Sequence, residues 1–203
     1  MNQKLNITLL PKQVLRETAK EVPVKEISGS KIRNLINGMK EVLKNSKDGV
    51  GLAAPQVGRS LRIFLVSEEV ERLGNEENAI IETSEIAEKN GDRLVVSDKI
   101  EPDKNKKREW KFYVFINPAV KKISRKKTEY PEGCLSIPGR FGMVSRPEKI
   151  TVEAYDENGK RFVRGASKFT ARVIQHELDH INGILFIDKA HKYLNIGGDI
   201  KNK

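Results

Sequence analysis

Residues 169–181 constrain the fold of this 203-residue chain more than any other stretch. Phe169, Val173, Ile174, Leu178 and Ile181 recur at helical spacing, and Asn182-Gly183 supplies a stop. The same stretch contains QHELDH (175–180), so a helix that must be largely buried also carries two histidines and two carboxylates. Buried polar groups need partners, and the remainder of the chain has to provide them.

On such a helix His176 and His180 are separated by about 400° of rotation, so their rings point the same way, one turn apart. That geometry suits two ligands to one ion. Glu177, turned by about 100° from His176, falls beside the ion rather than on it, better placed as a base than as a ligand. A buried helix whose histidines only satisfy hydrogen bonds is the plain alternative for an HExxH match. The single cysteine shifts that balance. Cys134 sits in EGCLSIPG (132–139), a turn-rich segment that reads as a loop able to carry a side chain to the helix. Catalytic metal sites commonly combine three protein ligands with a water, and Cys134, His176 and His180 supply three. A thiolate with two imidazoles names zinc first by ligand type. His191, in a polar tail beyond the helix, reads as an exposed residue rather than a ligand.

Around this helix the pattern predicts an α+β fold, mostly antiparallel β-sheet packed on the buried C-terminal metal-binding helix. An N-terminal amphipathic helix is predicted over 28–46, with Ile32, Leu35, Ile36, Met39, Val42 and Leu43 on one face and Ser28 or Ser30 as its cap. Strands are predicted at 61–66, 111–116, about 119–128 and 149–156, the last turning at ENG (157–159) into 160–165. A single domain spanning 1–203 is expected, with residues 67–110 as a charged surface insertion, partly ordered at most. No segment approaches the roughly 20 apolar residues of a membrane helix. One cysteine excludes an internal disulfide framework. A soluble, cytoplasmic protein is expected, with an organelle as the other setting.

Lys and Arg total 38 against 28 Asp and Glu, a net charge of +10. Much of the excess lies in 104–111 and 121–127, which read as solvated faces, or as a weak, salt-sensitive attraction to a polyanion such as ribosomal RNA. No specific DNA binding is expected.

Three motifs in one order, GVGLAAPQ (49–56), EGCLS (132–136) and HELDH (176–180), resemble those of the peptide deformylases, and PKQVLRETAKEVPV (11–24) is similar to that family's N-terminal stretch. Residues 67–110 lengthen the gap between the first two motifs beyond the usual bacterial form. The resemblance implies hydrolysis of the formyl group from the N-terminal formylmethionine of nascent chains. It implies Cys134, His176 and His180 as metal ligands, with Fe2+ in the cell and Zn2+, Ni2+ or Co2+ able to replace it. Glu177 would be the general acid–base, and the Gln56 amide and Leu135 N–H would stabilise the oxyanion. Val50, Gly51 and Gly133 would pair with the substrate backbone. Two rival readings stand beside it: an HExxH zinc peptidase drawing a further ligand from Asp188 or His191, and a basic ribosome-binding module with a structural metal site.

Overall fold

The computed structural model describes residues 5–46, 49–72 and 110–194. Among the described residues, eight strands form two antiparallel sheets. The larger has the order β1 (Gly51–Ala53), β2 (Ile63–Ser67), β3 (Phe112–Ile123), β6 (Lys149–Tyr155) and β7 (Arg161–Ser167). The smaller is a hairpin of β4 (Lys127–Cys134) and β5 (Ile137–Pro147) extended by β8 (Lys192–Leu194). Two helices flank the larger sheet, α1 (Ser30–Lys44) and α2 (Lys168–Ile181).

The central strand explains the layering. All five residues of β2 are buried. Because side chains alternate along a strand, Phe64 and Val66 face α2 while Ile63 and Leu65 face α1, and an uninterrupted apolar run is what a strand covered on both sides requires. Phe64 stacks on Phe115 of β3, with ring centroids 4.6 Å apart, at the centre of the α2 layer. On the other face Ile32, Ile36, Met39 and Leu43 of α1 are buried against Leu65, Val114 and Ile116. A smaller cluster of Ile137, Val144, Leu185 and Phe186 packs the second sheet.

Several expectations are corrected. Neither Ser28 nor Ser30 caps α1; Gly29 occupies the N-cap and no side chain bonds there. The strands expected at 111–116 and about 119–128 are one strand, β3, which passes through Asn117 at φ 50° with an irregular register to β6. Asparagine tolerates that left-handed backbone. Here its amide also donates to Val22 O at 2.7 Å and accepts from Val22 N at 2.9 Å, tying the N-terminal segment to the sheet. EGCLSIPG is not a free loop: Cys134 ends β4, and Ile137 begins β5 opposite it. The polar tail contributes β8. Of the expected insertion, Ser67 and Val70 are buried, residues 69–72 begin a helical turn, and residues 73–109 lie outside the described residues. No described helix is long and apolar enough to cross a membrane.

Candidate metal centre

The α2 helix is buried on nearly every side, and residues 171–175 and 177–181 are all inaccessible. His176 and His180 therefore reach the end of the β4–β5 hairpin rather than solvent. Cys134 Sγ lies 3.2 Å from His180 Nε2, which lies 3.2 Å from His176 Nε2. The ligand atoms of all three residues fall within 4.8 Å of one another. Bonds of about 2.0–2.3 Å at tetrahedral angles place neighbouring ligand atoms roughly 3.3–3.6 Å apart, so the triad has the dimensions of such a site. Buried Glu177 Oε2 has no hydrogen-bond partner, as expected of a carboxylate directed at a group supplied from outside the chain. The donor set and its geometry fit one divalent ion.

His176 is held from behind. Its Nδ1 lies 3.0 Å from Glu132 Oε2, which fixes the tautomer and leaves Nε2 facing the other ligands. Glu132 in turn accepts from Arg146 Nε and Nη2 at 2.5 and 2.8 Å and from Arg172 Nη1 at 2.8 Å. Arg146 also donates to Asp179, whose carboxylate receives Lys189 Nζ at 2.7 Å. Burial opposes ionisation of Glu132, but the Arg146 and His176 hydrogen bonds outweigh it and hold the carboxyl far below its usual range. Burial likewise disfavours the His176 imidazolium, yet hydrogen bonds with Cys134 and Glu132 raise it to about 10. His180 shifts the other way, pushed well down by burial and by the neighbouring His176 charge. Burial pushes Glu177 up to about 7 against the attraction of His176 and Arg146. A carboxyl in that range suits proton transfer near neutrality, and a bound cation would draw it back down.

The remaining sequence-predicted residues converge on the same place. Gln56 is buried, its Oε1 accepting from Ala53 N at 2.8 Å, so its amide nitrogen is turned to Cys134 Sγ at 3.4 Å. Gly51 lies directly over Glu177, where an added Cβ would collide with Oε1. Gly51 and Gly133 stand on β1 and β4, which are edge strands of their two sheets, and Val50 O is bonded to Ser67 N at 2.8 Å. A Cβ on Gly49 would sit 3.0 Å from Leu135 Cδ1, which places the glycine-rich turn against the hairpin end.

Asp188 and His191 do not join the centre. Asp188 pairs with Arg16 and accepts from Leu185 N, while half-exposed His191 lies 3.5 Å from Glu129. The further ligand that a zinc peptidase would take from either is thus engaged elsewhere. Sequence reasoning missed Glu132, Arg146, Arg172, Asp179 and Lys189. Arg172 was accessible to it, lying four residues before His176 on the same helical face; the carboxylate partners depend on the strand pairing.

A family profile described as polypeptide deformylase matches residues 4–195. The chain is 36% identical over 184 residues to the peptide deformylase of Borreliella burgdorferi, covering 91% of this chain and 86% of that one. It is also 36% identical to that of Treponema pallidum, over 82% and 77% of the two chains. The fold is similar to the crystal structure of peptide deformylase from Thermotoga maritima, with a TM-score of 0.68 and 29% identity over 93% and 98% of the chains. It is likewise similar to a Synechococcus elongatus peptide deformylase in complex with actinonin, with a TM-score of 0.66 and 30% identity over 95% and 82%.

Proposed function

Because the chain belongs to the polypeptide deformylase family, we propose that it performs metal-dependent hydrolysis of the N-formyl group of formylmethionyl nascent peptides, releasing formate, at Cys134, His176 and His180. The observation that carries this reading is the convergence of one sulfur and two ring nitrogens beside an unpartnered buried glutamate oxygen. A divalent ion held there would acidify the attacking water and polarise the formyl carbonyl. Glu177 Oε2 takes the proton of that water and later delivers it to the departing amine. The Gln56 amide nitrogen, turned inward because Ala53 N–H occupies its oxygen, donates to the oxyanion that develops as the carbonyl is attacked. Leu135 N–H, at the hairpin turn, is the second donor.

Val50 and Gly51 on one sheet edge and Gly133 on the other would take the substrate as an added strand. Main-chain pairing is indifferent to side chains, which suits an enzyme acting on many nascent chains. By ligand type Zn2+ fits this donor set. By family Fe2+ is the cellular ion, replaceable by Ni2+, Co2+ or Zn2+. The basic excess supports a weak, salt-sensitive association with ribosomes in the cytoplasm or an organelle, and the chain acts as a single catalytic domain.

The test is purification without oxygen, elemental analysis, and formate release from formyl-Met-Ala beside cleavage of an internal peptide bond. One ion per chain with formate release is expected. Cleavage of the internal bond alone would replace this reading with a peptidase, and stoichiometric metal without turnover would replace it with the structural-site module.

A further inference from the structure

Arg172 is a buried cation whose presence the neutralisation of Glu132 does not require. Arg146 already faces that carboxylate with two donors, at 2.5 and 2.8 Å, and a second guanidinium beside the first is repelled by it. A buried ion pair or triad exchanged as a whole for apolar side chains is often no less stable, so stability alone does not account for this cation, and the contacts that only its guanidinium makes indicate its use. Beyond Glu132 Oε1, which it shares with Arg146 and reaches at 2.8 Å, Arg172 Nη1 donates to Val144 O of β5 at 2.9 Å and Nη2 donates to Thr128 O of β4 at 2.8 Å. Its guanidinium also lies over the Tyr130 ring of β4, 5.6 Å from the centroid.

These partners all belong to the hairpin that ends at Cys134, whereas Arg172 belongs to the helix that bears both histidines. Four-residue steps put Arg172, His176 and His180 on one face of α2. The triad takes its sulfur from one element and its nitrogens from another, so their separation depends on how α2 is seated on the hairpin. Arg172 grips the hairpin on both strands one helical turn before His176. Through Glu132 it also sets the carboxylate whose other oxygen holds His176 Nδ1.

We propose that Arg172 is a positioning residue for metal binding, fixing the cysteine-bearing hairpin against the histidine-bearing helix and orienting His176 through Glu132. This rests on the metal site proposed above. Lysine could reach only part of this set, since a single ammonium does not reproduce a planar fork spread over a carboxylate and two carbonyls.

The experiment compares the full chain with Arg172→Met and Arg172→Lys, each loaded anaerobically with Co2+. The thiolate-to-cobalt and d–d absorption, the rate of cobalt loss to excess chelator, and kcat and KM for formyl-Met-Ala are measured, with circular dichroism reporting the fold. Removing a group that holds a metal ligand in place typically costs about 10–100-fold in metal affinity. Folded Arg172→Met should release cobalt faster by about that factor, with a displaced d–d band and a lowered kcat at unchanged KM. Arg172→Lys should fall between it and wild type. Wild-type release and spectrum in folded Arg172→Met overturn the proposal, whatever happens to its melting temperature. If that variant does not fold, wild-type cobalt release from Arg172→Lys overturns it instead. Cobalt bound normally by a wild-type chain that releases no formate would sink the functional reading alone.

Discussion

Glu177 follows a candidate ligand in sequence yet takes no place among the ligand atoms, and the reason is angular. One residue along a helix is about 100°, enough to turn the carboxylate out of the triad and under Gly51. Replacing it by alanine should therefore leave metal content unchanged by elemental analysis. Formate release should fall by about 10²–10⁴-fold, the usual worth of a positioned acid–base. Near-native turnover in Glu177→Ala would remove it from the chemistry. At this scale much was legible in the sequence. The four-residue step between His176 and His180 and the scarcity of thiols pointed to Cys134 as the partner of the helix. Glu132 was not legible, although it opens EGCLS, because its role depends on an Arg146 fourteen residues away that only strand pairing brings opposite.

Element by element, periodicity served the helices well and the strands unevenly. The α1 and α2 helices were recognisable because each keeps an apolar face over about four turns. EGCLSIPG (132–139) was read as a loop because it contains Gly133 and Pro138, residues that strand interiors disfavour. The structure puts Gly133 on an edge strand and packs Phe141 where it lacks a side chain, with its Cε1 2.6 Å from the Cβ position, while Pro138 falls within the register shift at the hairpin end. Gly51 illustrates the same constraint on β1. Gly51→Ala would force its methyl onto the Glu177 carboxylate, and the larger sheet has little freedom to yield because β1 is paired with fully buried β2. The variant should fold and bind metal while losing at least about tenfold in kcat, the order expected when a catalytic carboxylate is displaced. Unchanged kcat would mean that Glu177 can move aside without consequence.

For the molecule as a whole, the buried layers on both faces of the larger sheet provide the core, while ion pairs fasten the chain's outer segments to it. Asp188 is one fastening. Burial raises its carboxyl, but the Arg16 guanidinium and Leu185 N–H outweigh that and hold it below its ordinary value. A carboxyl depressed in this way stabilises the fold at pH above about 4 and ceases to do so as pH falls through its folded value. Asp188→Asn should therefore be less stable than wild type at pH 7 by about 1 kcal/mol or less, because the pair is partly exposed and screened. The two denaturation curves should converge in acid; a gap of constant size down to pH 2 would contradict this.

The ionic chain from His176 through Glu132, Arg146 and Asp179 ends on Lys189. Lys189 follows every recognisable motif. A polypeptide with Lys189→Met would retain each motif residue and still lose one of the two cations that hold Asp179 in place. Elemental analysis of that variant should find it metal-poor beside the wild type. The catalytic unit would then be longer than its signature, with its last indispensable side chain one that no pattern search would select.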